Sequence, residues 1–243
     1  GLLECGYPVD VLVVKASGGH FGALPAGARV LRLARSHARA ASGEIARYLR
    51  ETRPRVLLAA KDRAGRAALK AREEASTGTP IVIRIGNTLS ESLANRGALR
   101  RWLRYRPIRR WYPRADAVIA VSDGVAQDVA ATSGMPLERI HVVPNPVVTP
   151  ALYAQAQERP RHEWLAGTGP PTLLAVGRLT EQKDFPTLLR AFAHLRRQTT
   201  CRLLILGEGE DRSVLERLAR DLDIRSEVDM PGFVDNPYAY MAH

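Results

Sequence analysis

Two cations flank a short segment that follows a predicted strand in the second half of the chain. The strand Thr172–Val176 ends at Gly177, Arg178 follows it, and Lys183 lies five residues further on, just before a helix predicted to begin at about Asp184. The Asp184 side chain can cap that helix. Because a strand's carboxyl end and the next helix's N-terminus both present unpaired N–H groups, this segment predicts an anion site. Arg178 and Lys183 would hold a phosphate or diphosphate there; the alternative is a surface loop with two solvated cations.

Short apolar runs alternate with helical patterns through the first half of the chain. The runs predicted as strands are 9–14, 55–60, 81–85, 117–121 and 140–143. Continuous apolar runs are typical of buried parallel strands, and a repeated strand-then-helix rhythm favours an open sheet with helices on both faces. The first half is therefore predicted to be Rossmann-like.

Prolines interrupt this rhythm near residue 150. Segment 144–150 contains three of them, and two more stand at 170 and 171. Since proline ends a helix and favours extended chain, we place a boundary between them. Beyond it the rhythm restarts, with strands 172–176, 202–206 and 227–230 and helices 185–197 and 212–222.

The predicted fold class is α/β, with two Rossmann-like, doubly wound domains. We assign 1–150 to the first domain, 151–170 to a linker and 171–243 to the second domain. Only three strands are predicted in the second sheet, which is small for an independent parallel sheet. The second domain is therefore predicted to be incomplete, and the chain is expected to be a piece of a longer protein.

Several motifs resemble those of one known family. In the second half they are 176–179 (VGRL) with Asp184-Phe185, 203–209 (LLILGEG) and 228–237 (VDMPGFVDNP); in the first half they are 120–125 and 140–145. These segments resemble the donor domain and the end of the acceptor domain of glycosyltransferase family 4, the glycosyl transferases group 1. The resemblance covers nearly the whole chain. It implies a GT-B architecture and retaining transfer of a sugar from a nucleotide-sugar donor to a lipid-linked, saccharide or cell-envelope acceptor.

The resemblance also assigns roles to residues. Arg178 and Lys183 match the pair that grips the donor diphosphate and stabilises the leaving group, a form of electrostatic catalysis. Gly177 would let the backbone approach the ligand closely. The remaining donor-binding positions are Gly207, Glu208, Phe233 and Val234. For Gly207 and Glu208, a purely structural turn is the alternative.

Three departures from the family pattern bear on activity. The family's pair of glutamates seven residues apart does not occur before His243, and its Gly-rich loop would precede Gly1, so a 1–243 polypeptide is expected to transfer no sugar. Where many members carry a histidine, this sequence has Gly86. That substitution favours a front-side reaction in which the departing phosphate takes the acceptor's proton. Asn87 and Thr88 could still orient the acceptor; a turn that caps the next helix is the alternative.

No cofactor or metal is expected. Asp221 and Asp223 form the DxD pattern of metal-dependent glycosyltransferases, but they stand at the end of a predicted helix, and we reject them as a metal site. Cys5 and Cys201 are far apart in sequence, without a CxxC pair. This cysteine usage suits a reduced, cytoplasmic compartment.

An arginine-rich stretch stands out in the first half. Residues 96–114 carry eight arginines and no acidic residue, interleaved with tryptophan, tyrosine and leucine. Such a stretch suits an anionic membrane surface; a helix with one packed face and one solvated face is the alternative. The residues proposed to face the membrane are Arg100, Arg101, Trp102, Arg104 and Arg109. The protein is then expected at the inner membrane face.

Net charge supports an anionic partner for the first half. Residues 1–150 hold 24 basic and 12 acidic side chains, whereas 151–243 hold 12 and 13. Three rival functions share some of these features: a GT-B nucleotide-sugar 2-epimerase, a degenerate non-catalytic lobe, and a nucleic-acid-binding protein. The last is disfavoured because no recognition motif accompanies the charge.

Overall fold

The computed structural model describes residues 2–14, 24–34, 37–90, 97–167 and 169–243, apart from the side chains of residues 38, 39, 98 and 100. The chain divides into two compact units, residues 1–145 and 146–243. Both are built from parallel strands and helices, so the predicted α/β class is confirmed.

The first unit contains two parallel sheets. β1 (Asp10–Val13) pairs with β2 (Arg29–Arg32), and a second sheet has the order β3 (Leu57–Ala60), β4 (Ile81–Ile85), β5 (Ala117–Ala120) and β6 (Ile140–Val142). The helices are α1 (Ser42–Thr52), α2 (Asp62–Ala75), α3 (Ala98–Trp111) and α4 (Asp123–Ser133).

β2 is absent from the sequence-based strand assignment. Its ends are exposed arginines rather than a buried apolar run. It joins β1 through a parallel backbone ladder, and Arg29 lies directly opposite Asp10 on β1 and makes an ion pair with it. Tyr48 of α1 donates a 2.8 Å hydrogen bond to the same carboxylate, and burial together with that bond raises the pKa of Tyr48 to about 12. The polar residues at both ends of β2 therefore leave no apolar run by which the sequence analysis could recognise the strand.

The larger sheet holds the core of the first unit. Ile81, Ile83 and Ile85 of β4 are buried, as the continuous apolar run predicts. Helix α2 packs on this strand through Gly65, where a Cβ atom would lie only 2.8 Å from the Ile83 side chain. The helix therefore approaches the sheet as closely as a glycine allows.

The second unit is built on a three-stranded parallel sheet. Its strands are β7 (Thr172–Val176), β8 (Arg202–Leu206) and β9 (Val228–Gly232), in that order. Its helices are α5 (Pro150–Ala156), α6 (Phe185–Arg196), α7 (Arg212–Asp221) and α8 (Pro237–Ala242). The core between sheet and helices is formed by Phe185, Leu189, Leu203, Ile205 and Leu215.

The segment that we assigned to a linker is structured in part and packs on the second unit. Helix α5 contacts α8, and the Asn236 amide donates a 2.9 Å hydrogen bond to the Gln155 carbonyl oxygen. Further along, the His162 ring lies 2.9 Å from the Asp229 carboxylate on β9. These contacts join residues 150–165 to the second unit. The paired residues are far apart in sequence, so the sequence alone did not indicate them.

Candidate functional site

Arg178 and Lys183 lie on the loop after β7, at the carboxyl edge of the second unit's sheet. Both side chains are exposed. The Lys183 stem folds over Gly177, where a Cβ atom would lie 3.7 Å from Lys183 Cγ and Cδ. Among the residues that the structure describes, neither cation forms an ion pair with a carboxylate. Two positive charges without a carboxylate partner on one short loop form a candidate site for an anion.

Backbone hydrogen bonds fix this loop against the loop that follows β8. Gly177 N–H donates to the Leu206 carbonyl oxygen at 3.0 Å, and Leu179 N–H donates to that of Glu208 at 3.0 Å. The Leu179 carbonyl oxygen accepts from Asp211 N–H at 3.1 Å, and the Leu179 side chain is fully buried. Arg178 therefore projects from a backbone that is held on both sides.

Gly207 and Gly209 allow the two loops to come this close. A Cβ atom on Gly207 would lie 1.9 Å from the Gly177 carbonyl oxygen, and one on Gly209 would lie 2.1 Å from that of Leu179. Gly207 also has a φ of +139°, which L side chains rarely adopt. Glycine at position 207 is therefore explained by the geometry of the turn, which is the structural alternative that the sequence analysis gave for this residue.

The prediction that the Asp184 side chain caps α6 is wrong. Its side chain makes no capping hydrogen bond, and its backbone is left-handed at φ 48° and ψ 43°. The reason is the 3₁₀ turn Glu181–Lys183 just before it, which has to end in this conformation for α6 to begin at Phe185. The turn also carries Lys183 back toward Gly177.

Glu208 has a partner inside the chain. Its carboxylate makes a 2.6 Å ion pair with Nη1 of Arg212, and Arg212 Nη2 donates to the Met230 carbonyl oxygen at 2.5 Å. Arg212 thereby links the loop after β8 to β9. Sequence reasoning missed Arg212, although its spacing of four residues from Glu208 is that of a helical ion pair.

Phe233 and Val234 follow β9 at the same edge of the sheet. Phe233 is a large apolar side chain with 71% of its surface exposed. It comes directly after Gly232, whose carbonyl oxygen accepts a 2.8 Å hydrogen bond from Gly207 N–H. The three loops after β7, β8 and β9 therefore form one continuous, backbone-bonded edge that carries Arg178, Lys183 and Phe233.

In the first unit, Asn87 and Thr88 lie on the loop after β4. Asn87 is exposed and Thr88 is half-buried. The Asp128 carboxylate of α4 holds the end of this loop: it accepts from Leu89 N–H and, at 3.3 Å, from Ser90 N–H. The loop is thus anchored by a residue that sequence reasoning missed, 38 positions away. Asn87 lies at the carboxyl edge of the first unit's larger sheet.

Helix α3 presents an exposed surface that is both basic and apolar. Leu99, Trp102 and Leu103 are 70%, 54% and 54% exposed, and helical spacing places them on one face. Arg101 and Arg106 are exposed beside them, and the Arg106 guanidinium lies 5.5 Å from the Trp102 ring centre. The opposite face is buried through Ile108 and Tyr112. Arg96 lies outside the described residues, as does the side chain of Arg100.

Two arginines predicted to face a membrane also have partners within the chain. Arg104 lies 3.5 Å from the buried Asp62 carboxylate, and Arg109 Nε donates to the Thr132 carbonyl oxygen at 3.3 Å. Asp62 requires cations because it is buried; Arg66 also bonds to it, at 2.6 Å. Burial, reinforced by Asp62, raises the pKa of Tyr112 in the same cluster. Both contacts join α3 to neighbouring parts of the unit; Arg104 is half-buried, whereas Arg109 is exposed.

The DxD carboxylates stand away from the candidate anion site. Asp221 is the last residue of α7, and Asp223 follows it; both are exposed. Since α7 starts at the carboxyl edge and runs back across the sheet, its end lies toward the opposite edge. No cluster of metal-ligating side chains occurs among the described residues.

Comparison with known proteins decides the family. The profile described as "Glycosyl transferase 4-like domain" matches residues 1–146, and "Glycosyl transferases group 1" matches residues 156–243. The chain belongs to glycosyltransferase family 4. The first of these profiles covers more than half of the chain, and the second contains Arg178 and Lys183.

Curated relatives of this family 4 chain include enzymes that build glycoconjugates. It is 30% identical over 131 residues to N-acetylgalactosamine-N,N'-diacetylbacillosaminyl-diphospho-undecaprenol 4-alpha-N-acetylgalactosaminyltransferase of Campylobacter jejuni, a match that covers 54% of this chain and 34% of that protein. It is 36% identical over 72 residues to the lipopolysaccharide core biosynthesis glycosyltransferase LpsE of Rhizobium meliloti, covering 30% and 20%.

Solved structures confirm the GT-B fold. The lipopolysaccharide glycosyltransferase WaaG superposes with a TM-score of 0.66 at 18% identity, over 99% of this chain and 65% of WaaG. Anabaena HepE, solved with UDP-glucose, superposes with a TM-score of 0.64 at 16% identity, over 88% and 57%. The chain thus spans about a third or less of the curated relatives' length and under two thirds of these structures.

None of the described helices has the length and apolar character to cross a bilayer.

Proposed function

We propose that the protein is a retaining glycosyltransferase that moves a sugar from a nucleoside-diphosphate sugar to a lipid-linked or saccharide acceptor of the cell envelope. The observation that carries this proposal is the exposed Arg178 and Lys183 pair on the loop after β7, with no carboxylate partner among the described side chains. HepE binds UDP-glucose according to its structure, and the Campylobacter relative acts on a diphospho-undecaprenol acceptor. Both support the substrate classes proposed here.

The chemistry follows from the charge of the leaving group. As the bond between the sugar's anomeric carbon and the β-phosphate oxygen breaks, negative charge grows on the departing diphosphate. Arg178 and Lys183 would stabilise that charge, as fixed cations do in an oxyanion-type site. The acceptor oxygen forms its new bond on the face that the diphosphate leaves, and its proton passes to the phosphate oxygen. This route needs no side-chain base and therefore agrees with Gly86 after β4. We propose that no metal is required, because two cations already offset the diphosphate.

Donor binding is the first test. We expect ligand-observed NMR on the full-length protein to show selective binding of one nucleotide sugar among UDP, GDP, ADP and CDP sugars, with the signal lost in Arg178→Ala. The measurement should give the same result in EDTA, since the positive charge comes from side chains. Binding of no nucleotide sugar would instead favour a degenerate, non-catalytic lobe.

A nucleotide-sugar 2-epimerase is the rival enzyme. It would use the same diphosphate grip but would release free nucleoside diphosphate and an epimerised sugar without any acceptor. Incubation of the donor alone, followed by analysis of the sugar products, separates the two. A product that forms only when a saccharide or lipid-linked acceptor is added supports transfer.

We propose further that α3 places the first unit at the inner face of a membrane. Leu99, Trp102 and Leu103 are exposed on the same face, with Arg101 and Arg106 beside them. An amphipathic ring near cations suits the interface of an anionic bilayer. Such a position would bring a lipid-linked acceptor to the sheet edge that carries Asn87.

Membrane association can be tested by co-sedimentation. We expect the full-length protein to bind vesicles of phosphatidylcholine with phosphatidylglycerol and to bind pure phosphatidylcholine poorly. Arg101→Ala with Arg106→Ala should weaken binding roughly 30-fold, at about 1 kcal/mol per cation near the surface. Arg47→Ala, which removes an exposed arginine of α1, is the control. Equal sedimentation with both vesicle types contradicts the proposal.

A further inference from the structure

Arg84 is a cation at the carboxyl end of β4 to which neither the sequence motifs nor the relatives assign a role. It is half-buried and is the next-to-last residue of the strand, just before Ile85. Its Nη2 donates a hydrogen bond to the Asn145 side-chain oxygen. Asn145 follows β6, and β5 lies between β4 and β6 in the sheet. The Arg84 side chain therefore reaches across the carboxyl end of β5, the edge where open α/β sheets bind their ligands.

Gly86 makes room for this side chain. A Cβ atom on Gly86 would lie 3.6 Å from Nη1 and 4.0 Å from Nη2 of Arg84. The backbone of Gly86 does not require glycine, because its φ lies outside the left-handed range. A side chain longer than a methyl group at position 86 would occupy the space that the guanidinium now fills. The absence of a histidine at this position thus coincides with a cation placed in the same space.

The charge of Arg84 is uncompensated in the part of the chain that the structure describes. No carboxylate forms an ion pair with it there, and the Asn145 amide, which accepts its hydrogen bond, is neutral. Two buried or half-buried arginines of this unit, in contrast, have carboxylate partners: Arg66 bonds to Asp62, and Arg72 bonds to Asp116 at 2.6 Å. A half-buried guanidinium with one neutral partner keeps N–H donors available for an anion.

We propose that Arg84 is a phosphate-binding residue of the first unit, and that it holds a phosphate group of the acceptor. The proposal rests on the glycosyltransferase function proposed above and narrows its acceptor to a phosphorylated one, such as a saccharide carried on a prenyl diphosphate. We assign the phosphate to the acceptor because the donor diphosphate already has Arg178 and Lys183 on the second unit. Asn145 orients the guanidinium, and Gly86 leaves the space for it.

Binding of two probes by the full-length protein tests this assignment. Geranyl diphosphate represents a prenyl diphosphate acceptor, and UDP represents the donor. We expect Arg84→Met to weaken geranyl diphosphate binding at least about tenfold while UDP binding changes less than about twofold. Arg178→Ala should show the reverse pattern. Arg55→Met, which removes an exposed arginine at the opposite end of β3, is the matched control and should change neither.

A second variant separates charge from packing. Asn145→Asp keeps the size of the side chain and its hydrogen bond to Arg84 but gives the guanidinium a carboxylate partner. We expect it to weaken geranyl diphosphate binding about as much as Arg84→Met, with an unchanged thermal unfolding midpoint. Arg84→Lys, which keeps the charge without the planar fork, should lose less.

Each outcome of these binding measurements supports or contradicts the role proposed for Arg84. If Arg84→Met weakens UDP and leaves geranyl diphosphate unchanged, the residue belongs to the donor site and the proposal is wrong. If both ligands bind Arg84→Met and Asn145→Asp as they bind the unaltered protein, Arg84 has a packing role only. Failure of the donor proposal shows separately, as absence of UDP binding in the unaltered protein, and leaves the geranyl diphosphate result interpretable.

Discussion

Replacing Arg178 with alanine in the full-length protein is expected to lower kcat about 10²- to 10³-fold. The estimate is that for removing one fixed charge or donor from the site where transition-state charge develops. The geometry supports a large effect because Arg178 stands between Gly177 and Leu179, whose backbone N–H groups both donate 3.0 Å hydrogen bonds, to the end of β8 and to the loop after it. The backbone that carries the guanidinium is therefore fixed before the substrate arrives, and no other cation follows Arg178 on the loop until Lys183.

Lys183→Ala should act on the same step. We expect a loss of kcat of similar size. The loss in the double variant should be smaller than the product of the two single losses, since both cations would contact the same diphosphate in the proposed site. Turnover is measured as sugar transferred to acceptor, and binding of the nucleoside diphosphate is measured separately. Arg217→Ala, an exposed arginine of α7, is the control and should leave both unchanged. Unaltered kcat in Arg178→Ala and in Lys183→Ala would remove the pair from the site.

The strands of the two larger sheets were predictable because each carries a short apolar run in its own sequence. β4, β7 and β8 begin and end where their apolar runs do. β2 was not predictable, because it is only four residues long and begins and ends with exposed arginines. Arg29 pairs with Asp10, which lies 19 positions away. A short strand with charged ends leaves no continuous apolar run in its own residues.

The candidate site shows the same division. The position of Arg178 and Lys183 follows from local order along the chain: strand, glycine, cation, turn, helix. The Asp184 cap failed because the conformation of a short turn depends on the 3₁₀ geometry before it, which composition does not reveal. The Arg84 contact with Asn145 joins residues 61 positions apart and depends on the strand order β4, β5, β6. Such a contact can be found only once the sheet is assembled.

Gly207→Ala is expected to cost at least about 3 kcal/mol in the free energy of unfolding, because two penalties act together. The new Cβ atom would lie 1.9 Å from the Gly177 carbonyl oxygen, which is backbone and cannot rotate away as a side chain does. In addition, a φ of +139° is strained for any L side chain. Urea unfolding of the full-length protein measures the loss.

The same substitution should also weaken donor binding, since relief of the overlap must push Gly177, and Arg178 with it, away from the loop after β8. We expect the Kd for the nucleoside diphosphate to rise even where the folded protein persists. Gly167→Ala is the matched control: a Cβ there meets nothing within 4 Å, so stability should change by less than about 0.5 kcal/mol. If Gly207→Ala proved as stable as the control and bound the donor equally well, the close approach of the two loops would not be what positions Arg178. The loop after β8 therefore contributes to the candidate anion site through the absence of a side chain at Gly207, which lets the loop that carries Arg178 lie against it.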